Sequence, residues 1–305
     1  MPLRIENAID LHCHFGPDTI GALSEGPPPD FIIEAGITME DMQHSVTGFE
    51  AAREAFESGH RAIVLKSHSF CSAQLAASIE RELPGFKVFG GGCTDYASGG
   101  LSVETVESAL LLGAKIIWLP TVNSCQDMSH RHPAKHWRQD GIPVIDGEGN
   151  PSKLVQDIAA LTRQYDAALA TGHTTAAEHY AVVKAFARDG KVLVTHAGDE
   201  MAGPQLSPAQ ARELADLGAL IELTAQSCIK VFSHAPKSAK QMAGIIETIG
   251  HERCTLSSDY GWAKIVPRPA PGFREFLERL WDVGVSEAQL TRMAATNPAQ
   301  LLSLA

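Results

Sequence analysis

An α/β fold, a (β/α)8 TIM barrel with long loops after strands 1 and 4, is what this sequence predicts, on three observations. The first is a recurring phrase: an amphipathic helical segment, a glycine, then a short apolar strand. It reads ESGHRAIVLK at Gly59, LPGFKVFGG at Gly85 and LLGAKIIWLP at Gly113. It returns as RDGKVLVTH at Gly190, DLGALIELT at Gly218 and TIGHERCTLSSD at Gly250. A glycine just past a helix can take the left-handed conformation that ends it. The second is that the strands are apolar on both faces, as parallel strands covered by helices are. The third is the count: eight such strands in 305 residues, near the roughly 250 typical of a closed barrel.

The elements follow in order. The first strand, AIDLHCH at 8–14, alternates apolar Ile9 and Leu11 with Asp10 and His12. The second is RAIVLKS at 61–67, the third FKVFGGG at 86–92 and the fourth AKIIWLP at 114–120. AALATG at 167–172, KVLVTH at 191–196, ALIELT at 219–224 and RCTLSS at 253–258 complete the set. Each is followed by a helical pattern. Thr175–Glu178 and Ser207–Gln210 have capping-box spacing, the second with Pro208 at the first helical position. A doubly wound open sheet is the competing architecture, but the glycine fingerprint expected after its first strand is missing. The two long connections are FGPDTIGALSEGPPPDFIIEAG and TVNSCQDMSHRHPAKHWRQDGIPVIDGEGNP, after the first and fourth strands. Connections of this length tend to be lids or binding loops. Both fall on the C-terminal face, where barrels of this kind carry their chemistry. No linker divides the chain, so residues 1–305 read as one domain.

Composition narrows the partners. A net charge of −11 disfavours nucleic acid, whose phosphates want a basic face. No apolar run of about 18 residues exists to cross a membrane, and MPLRIENAID lacks a signal-peptide pattern. The six cysteines are scattered without a C-x-x-C pair, which fits a reducing compartment. The expectation is a cytoplasmic protein acting on a small molecule, with a homo-oligomer left open.

Side chains two apart on a strand share a face, about 6.6 Å apart. His12 and His14 can therefore converge on one ion, at ~2.0–2.1 Å if it is zinc. Taken alone, the pair fits equally well one core histidine and one surface histidine. The fifth strand leads into His173, however, the sixth ends in His196 and the eighth leads into Asp259. Four histidines and an aspartate where four strands emerge point to a divalent-cation centre at one mouth.

That order, H-x-H on the first strand, histidines at the fifth and sixth, aspartate at the eighth, resembles the amidohydrolase superfamily of metal-dependent hydrolases. The tail ATNPAQLLSL is similar to the Asn-Pro-Ala-x-x-Leu helix that often closes those barrels. The resemblance covers essentially the whole chain, as an uncharacterised branch. It implies metal ligands His12, His14, His173, His196 and Asp259, with one or two divalent ions, Zn2+ foremost. Many members bridge two ions with a carboxylated lysine or a glutamate from the fourth strand. Here that strand emerges as Trp118-Leu119-Pro120-Thr121, and Lys115 lies at its other end. Lys66, at the exit of the second strand and on one face with Val64 and His68, is the displaced candidate for the bridge, as a carbamate. It reads alternatively as an ammonium for an anionic substrate, or as an ion-pair partner of Asp259. His68 is an extra ligand or a proton donor.

The activity so implied is hydrolysis of an amide or cyclic amide C–N bond by metal-activated hydroxide, with Asp259 as catalytic proton shuttle. The alternatives are a phosphotriesterase- or lactonase-like hydrolase on the same centre, a mononuclear deaminase or decarboxylase, and a non-catalytic metal-binding barrel. For the substrate, the loop after the fourth strand offers His132 and Arg138 among His130, Arg131, His136 and Trp137, and Tyr260 and Trp262 are placed to wall the pocket. Thr224, Gln226 and Lys230 leave the seventh strand as further contacts. Asp95 reads equally as a ligand contact or a turn residue. His44, His60, His179 and His251 read as structural or surface residues.

Overall fold

The eight strands form one sheet in sequential order, with every neighbouring pair parallel. This is a computed structural model, describing residues 3, 5–17, 36, 38, 40–41, 45–130, 140–199, 202–229, 236–262, 264 and 266–304. The strands are β1 Ile9–His14, β2 Ala62–Lys66, β3 Lys87–Cys93, β4 Ile116–Trp118, β5 Ala168–Ala170, β6 Val192–Val194, β7 Leu220–Thr224 and β8 Cys254–Ser257. Helices fill the connections: α1 Gly48–Glu57, α2 Ala73–Glu82, α3 Val103–Leu111, α4 Cys125–His130, α5 Lys153–Gln164 and α6 Ala176–Phe186. After them come α7 Pro208–Asp216, α8 Ala239–Ile249, α9 Pro269–Asp282, α10 Glu287–Thr291 and α11 Asn297–Leu301. The fold is the (β/α)8 barrel that the repeated helix–glycine–strand phrase predicts. No helix of the described residues is long and apolar enough to cross a membrane.

The predicted capping boxes at Thr175–Glu178 and Ser207–Gln210 both form, the second with its proline in the first turn. Five of the six glycines in the recurring phrase have positive φ, and Gly190 is the exception. Two shells of apolar side chains hold the barrel. Inside it pack Ile9, Leu11, Val64, Ile116, Trp118, Ala170 and Leu193, with Leu301 and Leu302 of the C-terminal segment against them. Outside, Ile63, Leu65 and Val88 meet Ala51, Ala55 and Ile79 of α1 and α2. Burying one such Leu or Ile contributes roughly 1.5–3 kcal/mol.

Two details place the site. Strict alternation in β1 puts Leu11 and His12 on opposite faces, but the register slips between Asp10 and Cys13. This β-bulge lets Leu11 join the interior while His12 also turns inward, and the alternation expected from the sequence is corrected there. Asp10 accepts the amide of His12 (3.1 Å). The same carboxylate accepts Ser258 N (3.0 Å) and the Ser258 hydroxyl, tying β1 to the exit of β8. Around that seam Asp259 N donates to His12 O (2.9 Å) and His14 N to Tyr260 O (2.8 Å).

Candidate metal centre

The ligand candidates come from the ends of separate strands. His12 and His14 close β1, and Lys66 closes β2 opposite His14. β5 and β6 end sooner than expected, at Ala170 and Val194. His173 follows Gly172, whose φ is +65° and where a Cβ would meet Leu119 O at 2.2 Å. His196 and Asp259 themselves carry positive φ, 24° and 59°. Side-chain-bearing residues rarely adopt such conformations, which cluster at functional sites. Gly261 lies where a Cβ would strike His14 O at 1.9 Å, so the chain after Asp259 can run this close to β1 only at glycine.

His12, His14 and Asp259 bring ligand atoms within 4.8 Å of one another, the rings of His173 and His196 lie beside them, and all five side chains are buried. Asp259 Oδ1 lies 3.0 Å from His12 Nε2 and 3.1 Å from His14 Nε2. The ring centroids of His12 lie 5.1 Å from those of His14 and 5.8 Å from those of His196. His173 and His196 are 4.7 Å apart, His14 and His68 5.1 Å. Lys66 Nζ is 2.8 Å from His12 Nε2 and 5.3 Å from the centre of the Trp118 ring.

Charge follows the same geometry. Burial disfavours a charged His12, yet Asp259 and Glu222 outweigh it and raise the imidazole to about 9. Burial likewise opposes an ionised Asp259, but His12 and His14 hold it well below the usual carboxylate range. Burial and the charge of Lys66 push His173 well below the ordinary histidine value. Burial and His173 do the same to His196. The neutral forms of His173 and His196 and the ionised Asp259 are those that bind a cation, whereas His12 would give up a proton to one.

The donor set fits a divalent ion. One ring nitrogen cannot both donate to Asp259 and accept from Lys66, yet His12 Nε2 faces both. A cation at that point removes the conflict, since the nitrogen lone pair and the carboxylate oxygen can both turn to it. Two ligands at ~2.0–2.1 Å from one zinc ion lie roughly 3 Å apart, the separation found between Asp259 Oδ1 and both Nε2 atoms. Nδ1 of His196 is buried and has no hydrogen-bond partner among the described residues.

Sequence reasoning missed the groups behind the ligands. Glu222, on β7, is wholly buried and lies 3.1 Å from His12 Nδ1. It also accepts Ser257 Oγ (2.8 Å) and His196 N (3.1 Å). Asp127 of α4 is 2.6 Å from His173 Nδ1 and accepts Gly203 N at 3.0 Å. A carboxylate behind a ligating histidine fixes its tautomer and orientation. Glu222 had a signal, as the lone charge in ALIELT. Asp127 had only its place in the long fourth loop.

The substrate-side residues are less gathered. Tyr260 packs in the helix layer, where its ring bars a Cβ at Gly272 of α9. Trp262 donates from Nε1 to Gln226 Oε1 at 2.9 Å, beyond β7. His132 and Arg138 lie outside the described residues, as do Arg131, His136, Trp137, Lys230, His44 and the side chain of His130.

A parallel eight-stranded barrel thus carries H-x-H on its first strand and aspartate just after its last. Residues 7–222 match the family described as a family of unknown function (DUF6282), and the chain belongs to it. Solved structures share the fold. An amidohydrolase from Pseudomonas aeruginosa is 13% identical, with TM-score 0.57, over 83% of this chain and 91% of that one. The probable dipeptidase PvdM from Pseudomonas aeruginosa is 11% identical, with TM-score 0.66, over 98% and 95%. A dihydroxybenzoic acid decarboxylase from a Polaromonas species, with bound manganese and an inhibitor, is 11% identical, with TM-score 0.59, over 98% and 97%. No curated protein matches the sequence.

Proposed function

We propose that the chain is a metal-dependent enzyme that hydrolyses the C–N bond of an amide or cyclic amide. The observation that carries this reading is Asp259, whose Oδ1 meets both Nε2 atoms of the H-x-H pair at 3.0 and 3.1 Å. A divalent cation held by His12, His14, His173, His196 and Asp259, Zn2+ foremost, supplies Lewis acidity and acidifies water. Asp259 Oδ2 takes the proton of the attacking water and returns it to the departing nitrogen, a poor leaving group until protonated. Glu222 and Asp127 keep His12 and His173 from turning away. Lys66, as a neutral amine, adds CO2 and releases a proton to give a carbamate, the ligand by which this chain would hold a second ion.

The test is direct. Metal content of purified protein is measured, and metal-loaded protein is assayed against amides, cyclic amides, lactones and phosphotriesters. Cation-dependent opening of a C–N substrate, abolished by chelation and by Asp259→Asn, is expected. Metal-loaded protein inactive on every C–N substrate but active on lactones or phosphotriesters would overturn it.

One observation favours a second reading. The exit of β4, Trp118-Leu119-Pro120-Thr121, offers no bridging ligand, which suits a single ion and a deaminase or a decarboxylase of an aromatic acid. One ion per chain, with CO2 released from a hydroxybenzoate, would select the decarboxylase.

A further inference from the structure

We infer that His68 is an additional ligand of this centre, presented through Nε2 by a relay in which Thr121 and Asp95 are positioning residues. The inference rests on the cation reading above and deepens it. Asp95, just past β3, is wholly buried. Its Oδ1 accepts the amides of Thr121 and Asn123, each at 2.9 Å, and its Oδ2 accepts the Thr121 hydroxyl. That hydroxyl also lies 2.6 Å from His68 Nδ1.

A hydroxyl has one proton. With that proton given to Asp95, Thr121 Oγ1 meets His68 only as an acceptor, so Nδ1 carries hydrogen and Nε2 the lone pair. Nδ1 is turned toward the carboxylate, 3.7 Å from Asp95 Oδ2. The ring stacks on His14 within 18° of parallel and meets His173 edge-on at 6.0 Å, on the wall of the centre.

The arrangement repeats what holds two of the other imidazoles. Glu222 faces Nδ1 of His12 and Asp127 faces Nδ1 of His173. For His68 a threonine hydroxyl is inserted between ring and carboxylate. Although His68, Cys93 and Asp95 bring ligand atoms within 4.8 Å of one another, both oxygens of Asp95 accept hydrogen bonds from Thr121 and Asn123.

Two measurements on the full chain test this. In metal-free protein labelled with 15N-histidine, His68 is assigned by its loss in His68→Gln. Wild type and Thr121→Ser are expected to show the Nδ1–H tautomer, and Thr121→Val to lose it. The Nε2–H tautomer in wild type, which a reversed relay from a protonated Asp95 would give, overturns the inference. Zn2+ and Co2+ titrations, the latter followed by absorption, supply the second readout. His68→Gln, Thr121→Val and Asp95→Asn are expected to weaken at least one bound ion about 10- to 100-fold and to change the Co2+ spectrum. Thr121→Ser stays within about threefold of wild type, and unchanged melting of Thr121→Val separates positioning from unfolding. Wild type binding Co2+ with His68→Gln indistinguishable from it sinks this inference and leaves the metal centre standing. Wild type binding no divalent ion removes both.

Discussion

Glu222 Oε2 stands 3.1 Å from Nδ1 of His12, across the ring from the nitrogen that meets Asp259 at 3.0 Å. One imidazole is thus clamped between two buried carboxylates contributed by β7 and by the exit of β8. Burial raises the Glu222 carboxyl, but His12 outweighs it and holds the group ionised.

Glu222→Gln keeps the volume and removes the charge. Cation affinity is expected to drop about 10- to 100-fold, read by competition with a chromophoric chelator. An affinity within threefold of wild type would show that the clamp is not needed for binding.

Asp259→Asn is expected to keep most of its cation, because the imidazoles remain, and to lose turnover by about 10²-fold or more. Metal analysis alongside steady-state rates separates the two effects. Substantial remaining activity removes Asp259 from proton transfer.

Gly172→Ala places a Cβ 2.2 Å from Leu119 O at a φ of +65°. The cost is expected to reach about 2 kcal/mol or more in denaturant unfolding, with weaker cation binding because His173 is displaced. Unchanged stability would mean that the backbone relaxes there freely.

Stability should fall in mild acid, in part through His179. Its Nδ1 lies 3.1 Å from Thr175 O, while Nε2 is buried with no hydrogen-bond partner among the described residues. Burial lowers the imidazole from 6.5 to about 4. The unfolded chain therefore takes up a proton in a range where the folded chain refuses it. Stability contributed by the neutral ring is complete above about 6.5 and lost progressively as the pH falls toward about 4, to a total of roughly 3 kcal/mol. Denaturant unfolding at pH 7 and pH 5 should show a smaller acid loss in His179→Leu than in wild type, and equal losses would discount the residue.

The fold was legible because each of the six helix–glycine–strand phrases is a local signal and eight apolar strands leave few architectures. The gathering of the candidate ligands was legible because side chains at strand exits share one mouth. The bulge at Leu11 and His12 was hidden, since alternation in a single strand says nothing of its register with a neighbour. The early ends of β5 and β6 were hidden too, because Gly172 and His196 leave extended geometry for positive φ. Asp127 and the Asp95–Thr121 relay join elements that only tertiary packing brings together.

The seam between β1 and β8 has a consequence for biogenesis. Far apart along the chain, Asp10 finds Ser258, and His12 finds Asp259, only after the last strand has been made. A nascent chain paused before its last strand therefore lacks the carboxylate that completes the ion's cradle. Closure of the barrel and completion of the candidate ligand set are therefore one event, since the seam that joins the first and last strands also brings Asp259 to His12 and His14.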